Sequence, residues 1–460
     1  MKSRRWLLPL LLIVAFSVTL SVSCAYRQDL LDQTPPYQAA AAGPVDGAPA
    51  HADTLEVGAA RTVITPTDSL PLGGYGVYFW SMDNTRLSQD AHDPLYATAV
   101  FLLTGDDALV LIQTDLVGLV RADMEVIRDE VAAKLGIDRD RVIVTSTHTH
   151  HSPDTVGLWG TVIPARTGRS EKYMNRVKHR AIKAAVQAFR ARRPASLHMA
   201  VGEEHELHWN ERIQTDPDAS LDSILTAVKA VDENGKVVAT ITNWACHPTA
   251  VGADNLHPSA DWVGYFYQSM SQAMPGVHMY LNGSIGAAIQ PSEPWRNEHM
   301  HTDKQSFAWA EQIGTRLAEK TVGLLSQTQP VAFEHIEVRS NAATVYMENK
   351  LFRFAKVMGV LGMDLPESNE AYHSPVTAVK LGDLRIGTMP GEVAPHLGMQ
   401  IRESLGGQSQ LLIGLSQDYL GYIIDEQQFD DSRYAYERML CASPELGREM
   451  VAAHRAIAFN

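Results

Sequence analysis

Cysteine is nearly absent from this 460-residue chain, which holds three: Cys24, Cys246 and Cys441. So few thiols exclude a disulfide-stapled scaffold. Cys246 and Cys441 are left with two options, one bridge between them or two buried thiols. Basic tracts longer than a few residues are also missing, and 53 acidic against 39 basic residues leave a formal net charge of −14. That balance excludes a nucleic-acid surface, which clusters Lys and Arg against phosphates. From Leu55 onward there is no internal repeat, no heptad pattern and no low-complexity segment. A Gly-x-Ser-x-Gly elbow is lacking too, so the chain carries no such signature of a serine nucleophile.

What is present is ordinary globular material, 45% hydrophobic and 20% charged, enough for one large domain or two. Lys2, Arg4 and Arg5 precede an apolar run from Trp6 to Val22, followed by Ser21-Val22-Ser23-Cys24 with small residues around a cleavage point, the pattern of an export signal. Cys24 after a small residue further resembles a bacterial lipoprotein site, although Ser21 stands where Leu is usual. The expectation is an exported, membrane-tethered protein; simple secretion and a retained N-terminal anchor are the alternatives. Residues 25–55, rich in Ala, Pro and Gly without hydrophobic period, read as a flexible tether, and 56–460 as the folded domain.

The domain reads as a mixed α/β fold. Ala97–Leu103, Ala108–Thr114 and Arg141–Ser146 have strand character, and Arg121–Leu135 and Ser170–Arg193 have helical periodicity. Asn234-Gly235 turns a hairpin from Ile224–Val231 into Lys236–Trp244, and Gly382-Asp383 turns a second one toward Met389-Pro390-Gly391-Glu392. Thr147-His148-Thr149-His150-His151 therefore emerges where a strand ends, which is where open α/β sheets build sites. His247, before Pro248, and Glu392 close two further strands in the same way. Imidazoles and a carboxylate at three strand ends suggest a Zn²⁺ site with mixed nitrogen and oxygen ligands that activates water.

These stretches also form a familiar series. Thr147-His148-Thr149-His150, Asn243-Trp244 with His247-Pro248-Thr249, Pro390-Gly391-Glu392 and Tyr419-Leu420-Gly421-Tyr422 resemble, in order, the motifs of the neutral/alkaline ceramidases, as do "ARTVITP" at 60–66, "GGYG" at 73–76 and "HDPLYA" at 92–97. The resemblance runs from about Gly58 to Ser443. It implies a zinc-dependent hydrolase of the N-acyl amide of a ceramide-like lipid, with one Zn²⁺ per chain held by His148, His247, Glu392 and Tyr422, and Tyr419 as the fallback for the tyrosine. His150 would carry protons, Tyr434 would hydrogen-bond the carbonyl under attack, and Arg212 in Asn210-Glu211-Arg212 would contact substrate. The chain departs from the family at His151-Ser152, where Ser-Gly is usual, and at Asn282–Ala288, which lacks the family's Gly-Asp and its Ser before Pro. It is also expected to be a catalytic domain alone, with no C-terminal β-sandwich domain. A zinc amidase or esterase for another substrate, and a catalytically silent exported binding protein of the same fold, are the rival readings.

Three further stretches invite a role. Asn297–Asp303, with His299 and His301, reads as an exposed loop in preference to a second metal site. Leu351–Met363, with Lys350, Arg353 and Lys356 among Phe352, Phe354, Val357 and Leu361, reads as a helix packed on the core with a basic outer face, in preference to a membrane-surface helix. Leu158, Trp159 and Val162 suit either an acyl groove or plain core. The tether has its own check: Cys24→Ser is expected to abolish metabolic lipid labelling and release the protein from membranes, and membrane association that persists in an unlipidated wild type would point to a retained anchor.

Overall fold

The computed structural model describes residues 37, 45, 51–76, 86–161, 166–292, 305–326, 328, 330–331, 333–363, 365–366 and 370–459. The export signal, Cys24, most of the tether, Val162 and the His299/His301 stretch lie outside the described residues.

Among the described residues, seventeen strands follow in chain order: β1 Ala52–Val63, β2 Tyr96–Gly105, β3 Asp107–Thr114, β4 Val142–Ser146, β5 Arg193–Glu203, β6 His208–Asn210, β7 Ile224–Asp232, β8 Val237–Trp244, β9 Val277–Asn282, β10 Ile289–Pro291, β11 Pro330–Val331, β12 Ile336–Tyr346, β13 Ala371–Leu381, β14 Leu384–Thr388, β15 Glu392–Val393, β16 Ser409–Ile413 and β17 Tyr422–Ile423. The helices needed here are α1 Arg121–Leu135, α2 Glu171–Arg190, α3 Trp262–Ala273, α4 Phe307–Leu325, α5 Lys350–Val357, α6 Pro395–Leu405 and, near the end, Leu446–Ala456. A large sheet runs β4-β3-β2-β1-β5-β7-β8-β9 with β11 beside β5, and a smaller one runs β12-β13-β14-β16.

Alternation along β2 sorts its side chains to two faces, as the pleat requires. Ala97, Ala99, Phe101 and Leu103 join a core with α1 to α4, whereas Val100 and Leu102 join Val379, Ile386, Leu411 and Ile413 of the smaller sheet. The far face of that smaller sheet, through Ala343, Val345, Val376 and Ala378, is covered by α6 and the helix Leu446–Ala456. The layers are thus helices, sheet, sheet, helices.

Both hairpins form at the expected turns, and the strands and helices read from the sequence are present with ends moved by one to three residues at most positions. The predicted strand from Arg141 begins instead at Val142, because Asp138 caps a short 3₁₀ turn over Arg139–Arg141. The helix expected over Leu351–Met363 stops at Val357; Gly359 (φ 67°) takes the left-handed conformation that ends it. Cys246 and Cys441 are both free and buried, so the bridge between them does not form. Among the described residues, no helix is long and apolar enough to cross a membrane.

The large sheet is curled. β4 and β9 stand at opposite ends of its strand order, yet the Asn282 side chain at the end of β9 donates to the Thr147 carbonyl just past β4, at 3.0 Å. The smaller sheet closes the seam between them. Gln417 donates its N–H to Val144 at 2.9 Å, and Gly414 donates to Asn282 at 2.8 Å. On the other side Asn243 of β8 accepts from Leu412 N–H at 2.9 Å and donates to its carbonyl at 2.8 Å. Strand ends remote in the sheet order therefore meet at one point.

The inter-sheet layer is separable from that point. Leu411→Ala removes a fully buried side chain between the sheets, and is expected to cost about 2–5 kcal/mol in chemical denaturation while leaving metal content at saturating zinc unchanged.

Candidate metal centre

His148, His150, His247 and Glu392 converge at the seam. His148 Nε2 lies 3.2 Å from His150 Nε2 and 3.4 Å from Glu392 Oε1, and His247 Nε2 lies 3.2 Å from Glu392 Oε2. Donors sharing one tetrahedral ion at the usual zinc–nitrogen distance of about 2.0–2.1 Å stand roughly 3.3–3.4 Å apart. The observed spacings match. All four residues are buried. The donor set is therefore of the kind that holds a transition-metal ion, and the three imidazoles alone satisfy the spacing of a metal-binding group.

The backbone aims the rings. His148 Nδ1 faces the Val117 carbonyl at 2.5 Å and His247 Nδ1 faces the Ile289 carbonyl at 2.6 Å. Each Nδ1 must carry the proton, which leaves a lone pair on Nε2 pointing inward. His148 reaches this pose with φ 70°, an uncommon backbone conformation for a residue with a side chain, held by its N–H bond to Leu116. Gly74 packs flat on His150, and a Cβ there would fall 2.3 Å from the ring. His150 Nδ1 is buried with no hydrogen-bond partner, so His150 lacks the carbonyl anchor of the other two rings.

Burial raises the Glu392 carboxyl, and protons on the facing His148 and His247 rings pull it well below the carboxylate range; an ion between the Nε2 lone pairs and the carboxylate would take over that role. Burial and the neighbouring imidazoles hold His150 well below its ordinary value, so its ring is neutral and one of its two nitrogens offers a lone pair.

Of the expected ligands, the structure brings His148, His247 and Glu392 together and adds His150 to the same cluster. For the tyrosine, the Tyr419 hydroxyl sits 3.1 Å from Glu392 Oε1, whereas Tyr422 lines the same cavity with its ring edge-on to Tyr436. The contact falls to the fallback residue. Tyr434 is not in the cavity: its hydroxyl donates to Asp216 at 2.7 Å and the residue is buried elsewhere. Two residues on, Tyr436 lines the cavity and its hydroxyl is pushed up to about 12 by burial, Glu392 and Glu437, against the opposing pull of Arg212. Arg212 follows the Asn210 cap and is clamped through Nε to buried Glu437 at 2.7 Å, beside Tyr436.

The cavity over these donors is lined by Val156, Leu158, Trp159, Phe352, Met363 and Leu440, with Tyr419, Tyr422 and Tyr436 near the polar end. Leu158 and Trp159 thus face the cavity. The extra imidazole, His151, does not: it sits behind the loop, 3.3 Å from Asp261, with Asn255 at 3.1 Å and Arg86 at 3.3 Å on its other nitrogen. Ser284 is buried against Met389 at 3.9 Å, so the altered 282–288 stretch contributes structure in place of cavity lining.

The stretch that departs from the family motif contains the residue whose importance spacing concealed. Asn282 donates to the carbonyls of Thr147 and Cys246, each at 3.0 Å, and accepts from the N–H of Cys246 and Gly283 at 3.1 Å. It fixes the residues immediately before both His148 and His247.

The fold and the donor set define a class: a curled, mixed α/β domain with a buried imidazole–carboxylate centre under an apolar cavity. No family model matches the sequence, and no curated protein matches it by sequence. The fold itself is known. Neutral ceramidase from Pseudomonas aeruginosa superposes with a TM-score of 0.72 at 17% identity, over 88% of this chain and 74% of that one. A ceramidase complexed with C2 gives 0.71 at 16% identity, over 88% and 75%. The chain has the ceramidase fold.

Asn282→Asp replaces both donated hydrogen bonds with a carboxylate facing two carbonyls. It is expected to weaken the affinity of the centre for a metal ion by about 10–100-fold and to destabilise the fold by about 1–3 kcal/mol, measured by chelator competition and denaturant titration. Unchanged values in both would remove Asn282 from its positioning role.

Proposed function

We propose that this chain is a zinc-dependent amidohydrolase that cleaves the N-acyl amide of a ceramide-like lipid. The observation that carries the reading is the convergence of His148, His247 and Glu392 at ligand spacing, with His150 beside them, where His148, His150 and Glu392 line the end of a cavity whose other walls are largely apolar, within a fold shared with ceramidases.

His148, His247 and Glu392 would hold the ion, with Tyr419 or Tyr422 completing the set. When bound, zinc supplies Lewis acidity and a bound water whose pKa falls toward neutrality. The remaining work falls to the chain's own groups. Leu158, Trp159, Phe352 and Met363 bury an acyl chain and keep bulk water from the polar end, where charge–charge interactions are strengthened by exclusion of solvent. His150, kept neutral by burial, accepts a proton at Nε2 and returns it to the leaving amine. Tyr436 takes the place expected for Tyr434 and donates its hydroxyl to the carbonyl oxygen, with Arg212 beside it. Donors of this kind are worth roughly 3–4 kcal/mol each toward a developing oxyanion. Export and tethering at Cys24 would place the site outside the cytoplasm.

Protein prepared without chelators is expected to carry one equivalent of zinc, and His247→Ala or Glu392→Ala to lose most of it. His148→Ala should lose zinc and activity together, whereas His150→Ala should keep zinc while turnover of an N-acyl amide falls by about 10²–10⁴-fold. Tyr436→Phe should follow His150→Ala, and Tyr434→Phe should leave turnover near wild type. Wild-type protein that stays metal-free after zinc is supplied overturns the reading. A panel of acyl amides and esters, ceramide among them, separates a ceramidase from an amidase of other specificity and from a silent binding protein.

A further inference from the structure

Helix α5 borders the cavity and presents an unusual outer face. Its inner side buries Phe352 and Ala355, and Phe352 lines the cavity. One hundred degrees per residue carries Phe354 and Val357 to the opposite side, where they are 48% and 78% exposed. Lys350 and Arg353, both exposed, flank them. Asn349 caps the helix and donates to the carbonyls of Met439 and Cys441, which ties α5 to the next wall of the cavity. That wall repeats the pattern. Leu440 and Tyr436 line the cavity, while Tyr436 and Met439 are 41% and 39% exposed. Four large apolar side chains thus stand in solvent around one mouth.

We propose that the outer face of α5 together with Tyr436 and Met439 is a docking surface for an anionic lipid bilayer, which sets the cavity mouth against the membrane. Charge favours this occupant. On a chain of net charge −14, the cations of this patch oppose the global sign; over residues 346–363 Glu348 is the one acid, Arg353 keeps its Nε on the Met347 carbonyl at 2.8 Å while its side chain stays exposed, and Lys356 is turned back to the Leu365 carbonyl. Exposed Phe and Val between Lys and Arg suit the headgroup boundary, where apolar groups enter the acyl region and cations meet phosphate. Continuity points the same way, since Phe352 and Leu440 extend the exposed apolar surface directly into the cavity.

The surface rests on the lipid-amide reading only through the cavity it borders. The test reads membrane contact without turnover, so failure of one is distinguishable from failure of the other. In the full chain carrying Cys24→Ser, the remaining native thiols Cys246 and Cys441 are buried, and Val357→Cys offers one exposed site for a nitrobenzoxadiazole label. A matched label at Val201→Cys, an exposed position on β5 outside the cavity lining, reports any contact made by the rest of the protein. Phosphatidylglycerol-containing vesicles are expected to blue-shift and brighten the label at 357 and leave that at 201 unchanged. Lys350→Glu with Arg353→Glu should weaken this response at least about tenfold, with zinc content retained. Equal responses at 357 and 201, no response at 357, or a response indifferent to vesicle charge overturns the proposal. A shift at 357 that follows protein concentration without vesicles overturns it in favour of a second copy of this chain.

Discussion

Closure of the curled sheet is the constraint on which the rest of the molecule depends. A sheet left open would hold β4 and β9 apart by the width of six intervening strands, and His148 would never face the strand-end loop that carries His247. The Asn282 amide, with all its polar atoms paired inside the seam, joins the two edges. Residues 412–417 then fill the remaining gap by bonding to β4 on one side and to β8 and β9 on the other. Because each of these groups is buried, leaving any one unpaired costs its full desolvation. The seam is accordingly stiff, and the donors it carries inherit that stiffness.

Rigidity is what three imidazoles and a carboxylate need if they are to stand this close without neutralising one another by collapse. Glu392 is the one anion in the cluster, and it faces two imidazoles whose other nitrogens are pinned to backbone carbonyls. His150 is held differently, by Gly74 packed on one face and Tyr75 edge-on at 4.9 Å. The cluster so contains two kinds of imidazole, one tied to the backbone and one free at Nδ1. Behind it, Asp261 accepts from the N–H of Ala250, Val251 and Trp262 and meets His151, which fastens the His247 loop to the His148 loop from the rear.

Much of this was legible in the sequence, for physical reasons that differ by element. α1, the Asn234-Gly235 hairpin and the strand ending at Ser146 follow from local periodicity and turn chemistry, which act over a few residues. His148, His247 and Glu392 were legible because a strand end is a local feature even when its partners are remote. The curl was not, since it depends on contacts between strands that the sequence does not order. That is why Asn282 read as a mere departure from a motif and why His151, adjacent to the cluster in sequence, lies behind it in space. Tyr434 and Tyr436 lie two residues apart where a short turn runs into a short helix, and local spacing does not say which of the two faces the cavity.

The seam also dictates an order of assembly. Thr147 and Asn282 are 135 residues apart, His247 and Glu392 are 145 apart, and Val144 meets Gln417 across 273. Closing such loops is entropically costly and slow compared with forming helices or hairpins. On a growing polypeptide the first histidines emerge long before the segment that encloses them, and they stay exposed until the residues beyond 417 have been made. The centre cannot be enclosed before those residues are present, and a chain interrupted anywhere before that point lacks part of the seam that holds the site together.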